Sequence, residues 1–443
     1  MIATGHSIVP PRRACGGGPA DRERPMDLDD DIVLATIRAE LRENPRIDRR
    51  PFRVHGCRRA FRGATDAATQ PRRDPLGSAL AAVQPRFIHI SIPGSATQGV
   101  DVHARGQHHD RMRASDTIPM IDLTRAQDGS ASERNGVAAQ IAHAFRQSGF
   151  MIVTGHGLDA DILDQAAQSA RNFFALPEEA KRSLRSDLDG AFRGYIGIGD
   201  ETVSYTLDEA APPDLKESFV VGRPDIGTGP YYTEGLGRLA FAPNRWPTNL
   251  PELRRALEST YWAFECMARD ITRLCALALD LEETWFDDKF DRHCSTLRAT
   301  WYPPQDAAPA TGQLRAGAHT DYTAFTILRL EDVPGGLQVQ MRSGEWVDVP
   351  LAPGGFVVNA GDLLSHWTND RWLSALHRVA NPPLDAGVAA DRLTLVYFAV
   401  PNYDALMECI PTCTGPDAPP RYAPILAGEH RHRKIAKSMQ VAE

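Results

Sequence analysis

The feature that most limits the fold of this chain is a series of short β-rich runs in its C-terminal half. They recur from Ser295 to Val400, and turn residues such as Ser343-Gly344 separate them. The runs are 297–302, 324–330, 336–341, 346–349, 355–359 and 393–400. Many short strands at such spacing are typical of a β-sandwich or barrel. The sequence therefore predicts a strand-rich core in this half of the chain.

Helical patterns precede the strand-rich block. In the first of them Val137, Ile141 and Phe145 share one face. The segments with helical periodicity are 133–148, 159–174, 251–281 and a final segment that starts near Ala427. Two β-rich segments, 118–123 and 150–154, lie among the first helices. Together these patterns predict a fold that is mainly β with flanking helices.

The first 115 residues differ in composition from the rest. They are rich in Arg, Pro, Gly and Ala, and the first lysine of the chain is Lys181. One stretch, Asp29–Leu41, has an acidic start and helical spacing. The remainder shows no sustained period, so we expect residues 1–115 to be largely disordered. They are either a regulatory or docking arm or an extension outside the functional unit.

Charge and cysteine usage limit the partners and the compartment. The net charge of -8 gives no electrostatic reason to expect nucleic acid or an anionic membrane as a partner. We find neither an apolar run of about 18 residues, as a membrane span requires, nor the apolar core of a secretion signal. The seven cysteines are widely spread, which fits a reducing compartment. We therefore expect a cytoplasmic protein that binds neither nucleic acid nor a membrane.

The sharpest chemical motif is Ala318-His319-Thr320-Asp321. At a strand end, alternation points His319 and Asp321 the same way, so both can bind one metal ion. A third ligand must come from elsewhere, and His377 in the later strand-rich block is the best candidate. Two histidines and one carboxylate occupy one face of an octahedron and leave the other open, as Fe(II) oxygen chemistry requires. The His-x-Asp pattern alone occurs often by chance, so the metal-site hypothesis depends on the residues around it.

Those surroundings match a known family over about residues 117–437. The matching runs are IPMIDL, GFMIVTGHGL, DLKESFVVG, LRATWYPP, LRAGAHTDYTAFTIL, GGLQV, VVNAGDLLSHWTNDRWLSALHRV and RLTLVYFAVPN. With them the chain resembles the isopenicillin N synthase-like family of 2-oxoglutarate- and Fe(II)-dependent dioxygenases. The resemblance implies a double-stranded β-helix (jelly roll) with iron at its open mouth, and Fe(2+), 2-oxoglutarate and O2 as cofactors.

The resemblance also implies an activity and a division of the chain. The enzyme would oxidise a small organic substrate by hydroxylation, desaturation or cyclisation, with release of succinate and CO2. The expected segments are an extension (1–115), an N-terminal helical and strand part (116–285), a jelly-roll catalytic core (286–405) and a C-terminal helical segment (406–443).

The far carboxylate of 2-oxoglutarate needs a fixed cation, and a planar guanidinium suits it best. Arg392 is the candidate, with Thr394 on the same face of a strand. The family usually has Arg-x-Ser here, and threonine keeps the hydroxyl donor. The resemblance adds Tyr302, which precedes the first proline of the Tyr-Pro run.

Three alternatives stay open. Isopenicillin N synthase uses its equivalent arginine for a substrate carboxylate, so an oxidase independent of 2-oxoglutarate fits the same motif. The ethylene- and succinate-forming branch carries an arginine at the position of Arg298. The third alternative is a non-catalytic binding protein of the same fold. Such a protein should lack at least one metal ligand, whereas His319, Asp321 and His377 are all present.

Three residues are candidates for contact with the organic substrate. Arg298 lies four residues before Tyr302, where alternation puts both on one face, and a structural ion pair is the other reading. Glu217 lies where related enzymes face the substrate, and again an ion pair is the alternative. Phe398 either walls the iron pocket or belongs to the core.

Overall fold

The computed structural model describes residues 117–439, apart from 128, 209–210, 306, 334 and 384–390. The extension 1–115, with the helix predicted at Asp29–Leu41, lies outside the described residues. Within the described part of the chain, no helix combines the length and the apolar character that crossing a membrane requires.

Helices dominate the part of the chain before residue 291, and two of the longer ones begin at capping residues. The predicted helix near 133–148 is Ala131–Gln147, and Ser130 and Glu133 form a capping box at its start. Asp159 caps the next helix through the backbone amide of Asp161. The α-helices are α1 (Thr124–Gln127), α2 (Ala131–Gln147), α3 (Ala160–Phe174), α4 (Glu178–Arg182), α5 (Pro230–Thr233), α6 (Gly235–Ala240), α7 (Pro251–Ala278), α8 (Asp287–Phe290), α9 (Asp362–Trp367) and α10 (Ala427–Ser438).

The strands form one large sheet, one small sheet and a two-stranded pair. They are β1 (Met120–Asp122), β2 (Phe150–Thr154), β3 (Gly194–Ile196), β4 (Glu217–Gly222), β5 (Thr296–Tyr302), β6 (Ala316–His319), β7 (Phe325–Arg329), β8 (Leu337–Gln340), β9 (Trp346–Asp348), β10 (Phe356–Ala360), β11 (His377–Val379), β12 (Arg392–Ala399), β13 (Leu406–Met407) and β14 (Ile425–Leu426). The large sheet has the order β1-β2-β10-β7-β12-β5-β4-β3, and the small sheet β6-β11-β8-β9. β1 and β2 pair in parallel, and the other neighbours pair antiparallel.

Helices α2, α3 and α7 cover the outer face of the large sheet. The predicted apolar stripe of α7 is buried at Phe264, Met267 and Ile271, and it shares one core with sheet residues such as Phe219 and Leu395. Burying each such side chain stabilises the fold by about 1.5–3 kcal/mol. The expectation of a mainly β fold with flanking helices holds in its coarser form: the fold is mixed and sheet-rich, with several helices, of which α7 spans 28 residues. A large sheet needs this much helix because its outer face is apolar.

The inner face of the large sheet packs against the small sheet. Ile152 and Val357 of the large sheet share a cluster with Leu337, Val339 and Val379 of the small one. The inner face also carries polar residues. In β5, Leu297 and Ala299 face the helices, so alternation turns 298, 300 and 302 inward.

Candidate active site

The register of the small sheet brings two histidines together. His377 in β11 lies directly opposite His319 at the end of β6, and their ring centroids are 4.3 Å apart. Asp321 follows in the bend towards β7, and its Oδ1 lies 3.8 Å from Nε2 of His319 and 3.7 Å from Nε2 of His377. The three donor atoms lie within 4.8 Å of one another. The fold thus assembles the predicted triad from two distant stretches of chain.

Backbone carbonyls orient both imidazoles. Nδ1 of His319 lies 2.8 Å from the carbonyl oxygen of Gly317, and Nδ1 of His377 lies 3.0 Å from that of Ala375. A carbonyl only accepts, so each Nδ1 carries the proton and each Nε2 presents a lone pair. Burial, and then the neighbouring imidazole of His377, lowers the pKa of His319 to about 3. This ring is therefore neutral at neutral pH, as a metal ligand must be.

Two side chains of the large sheet hold the carboxylate of Asp321. Its Oδ2 accepts from Oγ1 of Thr326 (2.6 Å) and from Nδ2 of Asn359 (2.8 Å). Burial acts to raise the pKa of Asp321, but the two imidazoles and these two donors lower it on balance. The carboxylate is therefore ionised and fixed, with Oδ1 turned towards the histidines. The sequence reasoning missed both donors, although both lie within the family-like runs.

The loop that carries Asp321 is tied to the start of α9. The amide of Asp362 donates to the carbonyl of Asp321 (2.7 Å), and the amide of Gly361 to that of Ala324 (2.8 Å). A Cβ at Gly361 would lie 2.3 Å from the carbonyl oxygen of Thr323 and 2.8 Å from that of Asp321. Only glycine fits at this close approach of two backbones.

The donor set fits a ferrous ion. Two neutral imidazole nitrogens and one carboxylate oxygen on a single side of the site are the ligands of non-haem Fe(II) oxygenases. Each ligand also has a hydrogen-bond partner on the side away from the site. The carbonyl of Gly317 holds His319 and that of Ala375 holds His377, while Thr326 and Asn359 hold Asp321. Such outer partners fix the orientation of metal ligands.

The residues predicted to bind 2-oxoglutarate lie on β5 and β12, which are paired neighbours in the large sheet. Arg392 stands directly opposite Tyr302, and its Nη2 donates to the carbonyl of Val333 (2.6 Å) and to that of Gly335. Nε of Arg392 and Oγ1 of Thr394 are buried without a hydrogen-bond partner among the described residues. Buried polar atoms are rarely left so. A carboxylate placed here would accept from both atoms, so these residues fit the far end of 2-oxoglutarate.

A further arginine, not singled out from the sequence, lies at the same end of the site. Arg315 is fully buried, and its guanidinium lies 5.9 Å from the centre of the Tyr302 ring. Burial, and then the charge of Arg392, lowers the pKa of Arg315 to about 10. Its position in the family-like run, four residues before His319, was the signal that could have found it.

Arg298 faces inward, and its guanidinium is engaged through Nη2, while its buried Nε has no hydrogen-bond partner among the described residues. Its Nη2 lies 2.7 Å from Oε2 of Glu201, and Nζ of Lys216 lies 3.0 Å from the same oxygen. All three side chains are buried. Of the two readings of Arg298, the ion pair is the one that the structure displays.

Of the two readings of Glu217, the structure displays the ion pair. Its carboxylate accepts from Nζ of Lys181 and from the hydroxyl of Tyr195, each at 2.6 Å. Phe219, on the same side of β4 by alternation, lies in the helix-covered core. The strand therefore turns Glu217 away from the metal ligands and into an ion pair.

Phe398 lies on the inner face of the large sheet. In β12 it stands opposite Thr326, the residue that donates to Asp321. It is partly exposed and packs beside the cluster of Cys294 and Val400. The structure thus places this ring next to the candidate metal site.

Two family models match the chain. One, described as the non-haem dioxygenase in morphine synthesis N-terminal region, matches residues 118–249. The other, the 2OG-Fe(II) oxygenase superfamily, matches residues 292–401 and so includes the triad and Arg392.

Individual proteins resemble the chain over most of their length. It is 32% identical to the 2-oxoglutarate-Fe(II) type oxidoreductase hxnY of Emericella nidulans, over 69% of this chain and 86% of that protein. It is 31% identical to the validamycin A dioxygenase of Streptomyces hygroscopicus subsp. limoneus, over 64% and 76%. A full-length Neurospora crassa protein, solved in complex with alpha-KG, has a TM-score of 0.63 and 30% identity, over 72% of this chain and 96% of that one. The chain therefore belongs to the isopenicillin N synthase-like family of 2OG-Fe(II) oxygenases, which use Fe(2+), 2-oxoglutarate and O2.

Proposed function

We propose that His319, Asp321 and His377 bind the Fe(II) with which this enzyme oxidises a small organic substrate. The proposal rests on the convergence of Nε2 of His319, Nε2 of His377 and Oδ1 of Asp321. Each of these side chains is also oriented by a hydrogen bond on the side away from the site. The bound iron and 2-oxoglutarate supply the oxidising chemistry, with succinate and CO2 as the products of the co-substrate.

The chain's own residues bind and orient the co-substrate. Arg392 and Thr394 each offer a buried polar atom without a partner among the described residues, and Tyr302 lies opposite Arg392. Buried walls at this end exclude water and so strengthen the charge-assisted hydrogen bonds to a carboxylate. We assign the far carboxylate of 2-oxoglutarate to this group.

We also infer how the chain is organised. The two facing sheets would form the double-stranded β-helix within 286–405, while 116–285 and 406–443 supply the covering helices and edge strands. Residues 1–115 would then lie outside the catalytic unit, since the first family match begins at residue 118.

The two alternative activities lose support. The Emericella nidulans relative is named for 2-oxoglutarate, and the Neurospora crassa structure holds alpha-KG, which disfavours an oxidase that needs no 2-oxoglutarate. The ethylene-forming branch rested on Arg298, whose guanidinium is engaged by Glu201.

Replacing Arg392 tests the assignment. Arg392→Ala should raise the 2-oxoglutarate concentration needed for half-maximal succinate formation by roughly 30-fold or more, the effect of removing one partner of a buried charge pair. Succinate is measured under air with Fe(II). Arg329→Ala is the matched control, since Arg329 lies on β7 and pairs with Asp164 at the surface. An unchanged 2-oxoglutarate requirement in Arg392→Ala would refute the assignment.

A further inference from the structure

The ion pair of Arg298 and Glu201 leaves one polar atom unused in each partner. Nη2 of Arg298 and Nζ of Lys216 both contact Oε2 of Glu201, at 2.7 and 3.0 Å. Nε of Arg298 and Oε1 of Glu201 are buried and have no hydrogen-bond partner among the described residues. Each of these two atoms is two bonds from an atom of the 2.7 Å contact, so the unused donor and the unused acceptor lie close together.

Both side chains are shielded from solvent. Arg298 is 6% exposed and Glu201 is 3% exposed. Burial acts to raise the pKa of Glu201, but Arg298 and Lys216 lower it to about 2, so its carboxylate is ionised and Oε1 only accepts. Buried polar atoms are rarely left without a partner. The pair therefore suits a ligand group that accepts at one atom and donates at a neighbouring one.

On one side the pair is linked to the ligand His319. Lys216 bridges Glu201 and Asp214, and Asp214 accepts from the amide of Gly317 at 2.9 Å. The carbonyl of Gly317 in turn holds the imidazole of His319. A short series of polar contacts thus fixes the pair relative to the candidate metal site.

On another side the pair lies beside the residue that follows the ligand Asp321. The Phe192 ring lies 4.8 Å from the guanidinium of Arg298, and Tyr322 packs against the cluster that contains Phe192. Burial acts to lower the pKa of Arg298, but Glu201 and then the phenol of Tyr322 raise it on balance. Arg298 is therefore close to Tyr322, and the pair borders the metal site at both of its ligand strands.

The pair and the residues assigned to 2-oxoglutarate lie at different ends of β5. Arg298 is four residues before Tyr302 on the same inner face, or about 13 Å along the strand. Arg392 stands opposite Tyr302, whereas Val396 stands opposite Arg298. A ligand at Arg298 can therefore bind while the co-substrate site is filled.

Aromatic rings flank the pair. The Phe192 ring lies over the guanidinium of Arg298. Phe398 is two residues from Val396 on the inner face of β12, which makes it a diagonal neighbour of Arg298. The Phe398 ring is partly exposed. A flat ligand held by the pair would therefore also contact apolar surface.

The charges around the pair balance. Arg298 and Lys216 are the cations, and Glu201 and Asp214 are the carboxylates that pair with them. All four side chains are buried. A further full charge, brought by a ligand, would be buried without a counter-ion, which is costly. The surroundings therefore favour a neutral polar group.

We propose that Arg298 and Glu201 bind a neutral amide group of the organic substrate, with Nε donating to the amide oxygen and Oε1 accepting from the amide N–H. The proposal rests on the proposed function, since it takes the neighbouring triad as the reacting centre. The ion pair and the substrate contact are compatible, because they use different atoms of the same two side chains. A lactam or a primary carboxamide presents its oxygen and an N–H side by side, so the substrate class is a small neutral lactam or carboxamide.

The test compares a lactam with its N-methyl derivative. 2-Pyridone and N-methyl-2-pyridone are titrated calorimetrically into the full chain loaded with Mn(II) and excess 2-oxoglutarate, which keeps the site at Arg392 filled. 2-Pyridone should bind about 10-fold more tightly or better, because the methyl group removes the N–H that donates to Glu201. Benzoate, a flat ligand with a full negative charge, should bind more weakly than 2-pyridone.

Two variants that keep the charges test the two atoms separately. Arg298→Lys loses the Nε donor and should raise the Kd of 2-pyridone by about 10-fold or more. Glu201→Asp withdraws the acceptor by one methylene and should reduce the preference for 2-pyridone over its N-methyl derivative. Arg273→Lys is the matched control, because Arg273 lies on α7 and pairs with Asp287. It should bind 2-pyridone like the wild type.

Four outcomes would each overturn the proposal. They are equal affinity for 2-pyridone and its N-methyl derivative, tighter binding of benzoate, no 2-pyridone binding by the folded wild type, and an unchanged Kd in Arg298→Lys. Should Arg298→Lys fail to fold, the wild-type comparison of the ligands still decides.

The inference and the proposed function can fail separately. Mn(II) and 2-oxoglutarate binding are measured in the same samples, and Arg298→Lys should leave both unchanged. A wild type that binds neither would contradict the proposed function. A wild type that binds both but does not bind 2-pyridone would contradict only the amide site.

Discussion

Thr326 and Asn359 decide which oxygen of Asp321 faces the histidines. Both donate to Oδ2, so Oδ1 is the oxygen that lies between the two Nε2 atoms. Neither side chain is a candidate ligand itself. Each acts through the carboxylate, as a positioning residue.

Thr326→Val removes one of these donors with little change in shape. It should weaken Fe(II) or Mn(II) binding by roughly 10–100-fold, as loss of an outer partner of a metal ligand does. Anaerobic calorimetry measures the metal Kd. Thr272→Val is the control, because Thr272 is a buried threonine of α7 that donates only to the carbonyl of Ala268. Equal metal affinity in both variants would contradict the role assigned to Thr326.

The sequence predicts which side chains point the same way where the two residues are close together in one strand. His319 and Asp321 are two positions apart at a strand end, and Arg392 and Thr394 share a strand face, so alternation alone predicted each pair. Thr326 and Asn359 were missed because their relation to Asp321 depends on which strands become neighbours. The two readings of Glu217 could not be separated from the sequence, because a shift of one position in a strand reverses the face.

A buried ionic network joins several elements beside the site. Glu201 precedes a 3₁₀ helix (Val203–Leu207), Lys216 precedes β4, and Arg298 lies in β5. Lys216 bridges Glu201 and Asp214, and Asp214 accepts from the amide of Gly317 in β6. The network therefore links the large sheet to the strand that carries His319.

Glu201→Gln should destabilise the protein, and the loss should depend on pH. Burial acts to raise the pKa of Glu201, but Arg298 and Lys216 lower it to about 2 from an ordinary value of 4.5. A depressed pKa gives stability that is present above pH 4.5 and is lost as the pH falls towards 2. Breaking such a buried pair costs about 3–5 kcal/mol.

Urea unfolding of the wild type and of Glu201→Gln at several pH values measures this effect. The difference in unfolding free energy should be full at pH 7 and shrink below pH 4.5. Asp208→Asn, which removes an exposed partner of Lys437, should change little at any pH. A gap between wild type and Glu201→Gln that does not depend on pH would contradict the ionic role.

At the element scale, periodicity predicted the long helices closely. The helix predicted over 251–281 is Pro251–Ala278, and the run near 297–302 is the strand Thr296–Tyr302. The pairing order of the strands could not be predicted from the sequence, because neighbours such as β2 and β10 are some 200 residues apart in the chain.

The candidate metal site spans both sheets. His319 and His377 belong to the small sheet, while Thr326 of β7 and Asn359 of β10 hold Asp321 against the large sheet. A bound ion would therefore tie the two sheets together and stabilise the whole molecule, because it binds the folded chain and not the unfolded one.

Mn(II) should raise the melting temperature of the wild type and leave that of His319→Ala unchanged. At 100 times the Kd the gain is about 2.7 kcal/mol. Differential scanning calorimetry with and without Mn(II) measures it. His143→Ala is the control, because His143 is exposed on α2, and its melting temperature should rise like that of the wild type. A rise of the same size in His319→Ala would place the ion elsewhere.

The order of strands in the large sheet has a practical consequence for engineering. Four of its strands, β1 to β4, precede residue 286, and the other four follow it. β2 lies against β10, which carries Asn359. A fragment limited to 292–401 would leave that edge bare and Asp321 poorly supported. Chimaeras between this enzyme and its relatives should therefore exchange both segments at once, because neither is a transplantable module.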